Sequence, residues 1–313
     1  MSKIGILLPT RGALFEHDAI TAWKLITEMV MICEESDINS VWVGDSLSAK
    51  PRFEPLTILG AIAGITNRVS IGTSVLLPTL RNPGHLLQTV NTVNSISGGR
   101  LILGLGMGGA FNDAQKQEWT NAGIDYRTRR ARFEEILQII DLSRNNDYVN
   151  FEGQYYKLSG MDLVQRSKID YKVIIAAHAR HKLNKQFARA AKYGDGFISI
   201  TDTPTQLGEG CQLFESFLKN EELQQSKEKV MYITVNISDD EHDSQRDAEN
   251  FLIQYYGANI WGDSWGPFGS PKKIIDRVRD YYSNGATTVI VRFASSDQVN
   301  QLRRFKNEIL PNI

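Results

Sequence analysis

Residues 97–106 read Ser97-Gly98-Gly99-Arg100-Leu101-Ile102-Leu103-Gly104-Leu105-Gly106. A Ser-Gly-Gly turn delivers the chain into a short, almost wholly apolar run, the pattern of a strand buried on both faces. The sequence before it keeps the same rhythm. Apolar runs at residues 4–8, 40–44 and 68–77 alternate with helical spacing over 18–36, 54–65 and 83–96. Within 18–36, Ile20, Trp23, Leu25, Ile26, Met29, Val30 and Cys33 recur at helical intervals. Pro55 falls in a first helical turn, where its missing N–H costs little. Connections of this length are too long for hairpins, so the strands are predicted to be parallel.

Downstream of residue 106 the rhythm resumes after an interruption. Helical spacing covers 128–144, and a small hairpin is predicted over 148–158. Strands follow at 172–176, 196–200, 230–237 and 287–293, with helices at 182–193, 205–218, 243–256, 271–282 and 298–309. Eight strands, each followed by helical sequence, match an α/β protein of the (β/α)8 TIM barrel type. A doubly wound open sheet stays open as the alternative, because periodicity does not report closure. No linker divides the chain, which is read as one domain, residues 1–313. Two excursions, about 107–128 and 256–271, follow strands four and seven, on the face where a barrel builds its active site.

Composition narrows the class. The 313 residues carry 35 Lys and Arg against 36 Asp and Glu, a net charge of −1, which excludes a bulk field for nucleic acid or an anionic membrane. Only Cys33 and Cys211 occur, too few for a disulfide framework or a Cys-rich zinc site. The five histidines form no HExxH spacing, and neither a G-x-S-x-G elbow nor a P-loop is present. The first residues hold only a five-residue apolar run, short of a secretory or membrane-spanning segment, so a cytoplasmic protein is expected.

Candidate site residues lie just past the strand ends. Asp45 ends strand two and reads either as a turn-capping carboxylate or as a polar group at the barrel mouth. Gly72-Thr73-Ser74-Val75 puts small residues inside strand three, as floor for a flat ligand or as a packing device. The alternate glycines Gly104, Gly106 and Gly108 lack the following helix and acidic residue of a dinucleotide fingerprint, and better suit a planar group lying on bare backbone. Ala176-Ala177-His178-Ala179-Arg180 leads from strand five into a helix, and is a phosphate seat or simply a solvated basic turn. Trp261, Trp265 and Phe268 among glycines form a candidate lid, the alternative being packing over the barrel end.

Several of these strings resemble a known family. Gly72-Thr73-Ser74-Val75-Leu76-Leu77-Pro78-Thr79-Leu80-Arg81-Asn82-Pro83, followed by residues 97–106, is similar to the signature of the luciferase-like flavin monooxygenase superfamily. Ala190-Ala191-Lys192-Tyr193-Gly194-Asp195-Gly196-Phe197 and Gly269-Ser270-Pro271 add weaker matches. The resemblance implies a barrel that binds FMN, or the deazaflavin F420, at its C-terminal mouth. It implies a ring over strands one to four touching Leu8, Asp45, Ser74, Val75 and Gly106, with a non-prolyl cis peptide near Ser74-Val75. The cofactor phosphate would sit on Ala176, Ala177, His178, Ala179 and Arg180. One departure stands out: many members place a His after the acidic residue of strand two, and here Ser46 follows Asp45. Asp45, Ser46 or a histidine from another loop is then the candidate acid–base group.

The leading expectation is a monooxygenase using reduced FMN from a separate flavin reductase, with molecular oxygen and a small organic substrate. The lid, aromatic with Asp263 as its charge, favours an apolar or aromatic substrate. Alternatives are an F420-dependent hydride-transfer oxidoreductase, a catalytically silent flavin-binding barrel and, more weakly, a barrel enzyme for phosphorylated sugars. The resemblance further implies a homodimer.

Overall fold

A computed structural model describes residues 2–163, 170–179, 184–220, 227–258 and 266–313. In chain order the elements are β1 (Lys3–Leu7), α1 (Ala19–Glu34), β2 (Ser40–Val43), α2 (Pro55–Ile65), β3 (Ser70–Thr73), α3 (Pro83–Ile96) and β4 (Leu101–Leu105). The excursion after β4 contains α4 (Asp113–Asn121) and leads to α5 (Arg129–Asn145) and a hairpin of β5 (Tyr148–Glu152) and β6 (Lys157–Asp162). Then come β7 (Lys172–Ala176), α6 (Asn184–Tyr193), β8 (Gly196–Ile200), α7 (Pro204–Asn220), β9 (Glu228–Ile237) and α8 (Glu241–Tyr256). The chain ends with β10 (Phe268–Gly269), α9 (Pro271–Ser283), β11 (Thr288–Phe293) and α10 (Gln298–Arg304).

Eight parallel strands run β1-β2-β3-β4-β7-β8-β9-β11, and β11 pairs back onto β1. That last pairing closes the ring, so the open-sheet alternative is excluded and the fold is a (β/α)8 barrel. The small hairpin lies outside the ring, and β10 extends only the far end of β9. Strand three is shorter than its apolar run predicts, because the chain leaves the ladder after Thr73.

Helix starts follow local chemistry. Asp18 accepts from the Thr21 N–H, Glu54 from Thr57, and Asn82 from Gly84, satisfying N–H groups that have no partner inside their own helix. Pro55 and Pro83 occupy first turns as expected.

Side chains alternate between two cores, as strand geometry requires. One set, including Ile4, Ile6, Val41, Ile71, Leu103, Val173, Ile233 and Val291, packs outward against the helices. The other, Leu7, Trp42, Ile174, Ile198, Val230, Tyr232 and Ile290, fills the barrel itself. Trp42 dominates this interior and explains two glycines. A Cβ on Gly72 would lie 2.5 Å from the indole ring, and one on Gly5 would strike the same indole. The small residue at position 72 therefore accommodates Trp42. At the N-terminal end Glu228 takes Lys3 Nζ at 2.8 Å, Lys172 Nζ at 2.7 Å and Thr287 Oγ1 at 2.8 Å, tying four strand starts together.

Candidate functional site at the barrel mouth

Two residues beyond Trp42 and Gly72 on the same strand faces come Gly44 and Ser74, at the C-terminal mouth. Gly104 and Gly106 continue the small-residue strip on the neighbouring strand. The Ser74–Val75 peptide is cis, where the family resemblance put it. A Cβ on Gly104 would collide with the Thr73 carbonyl oxygen, and one on Gly106 would lie 2.5 Å from Val75 Cγ2. Only glycine fits at either position. Ser74 Oγ is buried and has no hydrogen-bond partner among the described residues. The glycines let β3 and β4 pack this closely, and the orphaned Ser74 hydroxyl beside the cis peptide is the polar atom that a flat heteroaromatic ring would meet, so this corner of the mouth fits a flavin or deazaflavin.

Leu8 and Asp45 are placed differently. Leu8 is 2% exposed and packs with the outward-facing core, while Leu7 faces the barrel interior. The Asp45 carboxylate is held by Arg81 at 2.6 and 3.1 Å and accepts the Leu77 N–H at 2.9 Å. Arg81 reaches on to Glu54 at 2.8 Å. Asp45 thus ties the end of β2 to the loop before α3, which is the turn-holding role its position first suggested.

Ser46 has a partner that sequence reasoning missed. Its hydroxyl donates to Glu118 Oε1 at 2.5 Å and accepts the Lys50 N–H at 2.9 Å. The same carboxylate oxygen takes the N–H groups of Ser48 and Ala49 at 2.9 and 3.1 Å. Glu118 is 4% exposed and lies on α4, inside the excursion predicted at 107–128. Its neighbour Trp119 is fully buried and donates Nε1–H to the Gly109 carbonyl at 2.8 Å. Gly108 leaves room for that indole, since a Cβ there would lie 2.6 Å from it. The glycine run thereby docks α4 and carries Glu118 to Ser46.

The expected phosphate loop is internally bonded where it is described. Ala177 N–H goes to the Ile198 carbonyl, His178 N–H to Gln186 Oε1 at 2.9 Å, and Ala179 N–H to Asp202 Oδ2 at 2.8 Å. Ser199 Oγ also donates to Asp202, at 2.6 Å, and His178 Nδ1 accepts the Ile200 N–H at 3.3 Å. Arg180 and His181 lie outside the described residues, as do Trp261, Asp263 and Trp265 of the candidate lid. Phe268, also named for that lid, packs in a buried cluster with Phe251 and Tyr255.

A group of cations converges elsewhere on the mouth, again unforeseen. Arg11 follows β1, Lys50 and Arg52 follow β2, and Arg292 is a buried residue of β11. The guanidinium carbons of Arg11, Arg52 and Arg292 lie 5.3, 5.9 and 5.0 Å from the Tyr255 ring centre. Lys50 Nζ sits 4.2 Å over Tyr256, whose hydroxyl accepts from Arg292 at 2.8 Å. Burial, then the charges of Arg52, Arg11 and Arg292, push the Lys50 ammonium down to about 8, against a weaker pull upward from Glu118.

Comparison with known proteins agrees with this architecture. The chain is 28% identical to a protein named F420-dependent glucose-6-phosphate dehydrogenase from Amycolatopsis mediterranei, over 92% of this chain and 94% of that one. It superposes on monooxygenase RslO1 from Streptomyces bottropensis with a TM-score of 0.82 at 20% identity, covering 99% of both chains. An F420-dependent secondary alcohol dehydrogenase, in complex with an F420–acetone adduct, matches with a TM-score of 0.77 at 18% identity over 98% of both. At those two identities the likeness establishes the fold. The model of the luciferase-like monooxygenases matches residues 2–264, the span that holds the cis Ser74–Val75 bond and the glycine strip. By this match the chain belongs to the luciferase-like monooxygenase family, and it is an oxidoreductase.

Proposed function

We propose that the protein is an F420-dependent hydride-transfer oxidoreductase acting on the hydroxyl group of a small molecule. The observation that carries this reading is the full-length likeness to a protein named F420-dependent glucose-6-phosphate dehydrogenase. It reverses the order reached from sequence, in which reduced FMN and molecular oxygen lead.

Ser74, on the strand end that Gly104 and Gly106 allow to pack closely, would meet the ring, with its Oγ available to a ring heteroatom. When bound, the deazaflavin supplies the hydride acceptor, and proton transfer and orientation are left to the protein. Ser46 takes the proton that leaves the substrate hydroxyl while its own proton passes to Glu118 Oε1, 2.5 Å away. The Ser48 and Ala49 N–H groups hold that carboxylate in place. The substrate carbon thus loses a hydride and its oxygen a proton, giving a carbonyl product. Ser46 and Glu118 together stand in for the imidazole that many family members carry. A phosphate on the 176–180 loop requires Gln186 and Asp202 to release the His178 and Ala179 N–H groups.

Parallel fluorescence titrations with F420 and FMN test this, followed by assays of F420 bleaching with small alcohols. F420 binding and substrate-dependent bleaching are expected. Preferential binding of reduced FMN with substrate-dependent oxygen uptake would restore the monooxygenase reading, and bound cofactor without turnover would favour a silent binding protein.

A further inference from the structure

We propose that the barrel mouth seats an anionic group of the substrate, a phosphate or a carboxylate, among Arg11, Lys50, Arg52 and Arg292. Three separate parts of the chain bring these cations to one pair of tyrosine rings. Like charges held this close repel, and partial burial weakens the screening that would relieve them. Three other arginines show the contrast, each held by two carboxylates: Arg81 meets Asp45 and Glu54, Arg144 meets Asp170 and Asp195, and Arg304 meets Asp239 and Glu308. Among the described residues no carboxylate forms an ion pair with Arg11, Lys50 or Arg52. Their contacts include aromatic faces, the Lys50 carbonyl, which accepts from Arg52 Nε at 3.1 Å, and the Tyr255 hydroxyl, which bonds Arg52. Glu118, the acid that Lys50 feels, is already committed to Ser46, Ser48 and Ala49.

Position argues that this anion belongs to the substrate. Arg52 Nη1 lies directly against the face of Gly44, inside the mouth and beside the small-residue strip. The strands that bear the cations, β11, β1 and β2, lie across the ring from β7 and β8, whose loops form the expected phosphate seat. Lys50 also donates its backbone N–H to Ser46 Oγ, so the cations adjoin the proposed proton relay. A substrate with its reacting hydroxyl at Ser46 and its anion at Arg52 is a small phosphorylated or carboxylated alcohol. This revises the apolar or aromatic substrate expected from the lid sequence. The choice of alcohol rests on the hydride-transfer reading, whereas the anion seat stands on the cations themselves.

Calorimetric titration of the purified protein with inorganic phosphate tests the seat, alongside Arg11→Met and Arg52→Met variants. Both side chains are partly exposed, so folding is retained, and F420 fluorescence titration of the same samples checks it. The wild-type protein is expected to bind phosphate, and each variant to bind it about tenfold or more weakly, with F420 affinity unchanged. No phosphate binding by the wild type, or equal binding by both variants, overturns the proposal. So does competition between F420 and phosphate, which would assign the anion to the cofactor. If phosphate binds through Arg11 and Arg52 but F420 does not bind at all, the seat stands and the deazaflavin reading falls.

Discussion

Ser46 Oγ and Glu118 Oε1 lie 2.5 Å apart although 72 residues separate them in sequence. A hydroxyl that faces the mouth is thereby coupled to a buried carboxylate. Ser46→Ala and Glu118→Gln should each lower kcat by about 10²-fold or more, the usual range for general acid–base groups. Steady-state kinetics on a substrate found by F420 bleaching would check this. A change confined to KM would assign the pair a binding role instead.

Asp45 and Arg81 form an ion pair at the end of β2, with the carboxylate side chain 1% exposed and the guanidinium 21%. Removing one partner leaves the other charge buried. Asp45→Asn or Arg81→Met should each cost about 3 kcal/mol of stability, and the double variant less than their sum. Urea unfolding of the four proteins in this cycle measures the coupling, and strict additivity would show that the pair acts as two independent residues.

Lys50 makes anion binding sensitive to alkali. It faces Arg11, Arg52 and Arg292, which with burial depress it to about 8, and Glu118 and the Tyr256 ring from other elements. Below that value it is a cation, so it attracts an anion; above it the charge is gone. Affinity for sulfate, which does not itself titrate here, should fall as the pH rises through about 8. Lys50→Met should flatten that profile. An unchanged slope in the variant would mean another group titrates.

Two glycines make opposite predictions. Gly104→Ala forces a Cβ onto the Thr73 carbonyl, and backbone cannot yield as a flexible side chain can, so a loss of about 2–3 kcal/mol is expected. Gly64 in α2 has nothing within 4 Å of an added Cβ, and Gly64→Ala should stabilise by about 0.5–1 kcal/mol. Thermal denaturation of both variants checks the pair.

Glu228 should contribute to acid sensitivity. Burial pushes its carboxyl up, but Lys172, Lys3 and Thr287 outweigh this and hold it down at about 2, against its ordinary 4.5. A depressed carboxyl stabilises the fold above its unfolded value and loses that contribution as the pH falls from about 4.5 to 2. With both lysines more than a third exposed, the contribution is discounted to about 1–2 kcal/mol. Glu228→Gln should flatten the stability profile in that window, read by denaturant unfolding at successive pH values.

Much of the mouth was legible because strand ends are local features. The turn at Gly98 and Gly99, the strand over 101–105 and the small residues at 104 and 106 follow from spacing alone. The position of the cis bond came from the resemblance. Asp45 was found at the right place, but its contacts with Arg81 and Leu77 depend on how the loop before α3 folds back. Glu118 carried no signal, being one acid in a polar helix until buried Trp119 docks that helix on the glycine strip.

By itself the sequence determined the eight alternating units, their parallel sense and the small-residue strip, because each depends on periodicity or on a residue's own backbone freedom. Only the tertiary structure decided that β11 closes on β1, that Trp42 fills the space beside Gly72, and that Arg11, Lys50, Arg52 and Arg292 meet. Those residues are up to about 280 positions apart, and no periodicity spans such a distance. Closing the ring makes the first and last strands neighbours, and that contact sets the charge at the mouth.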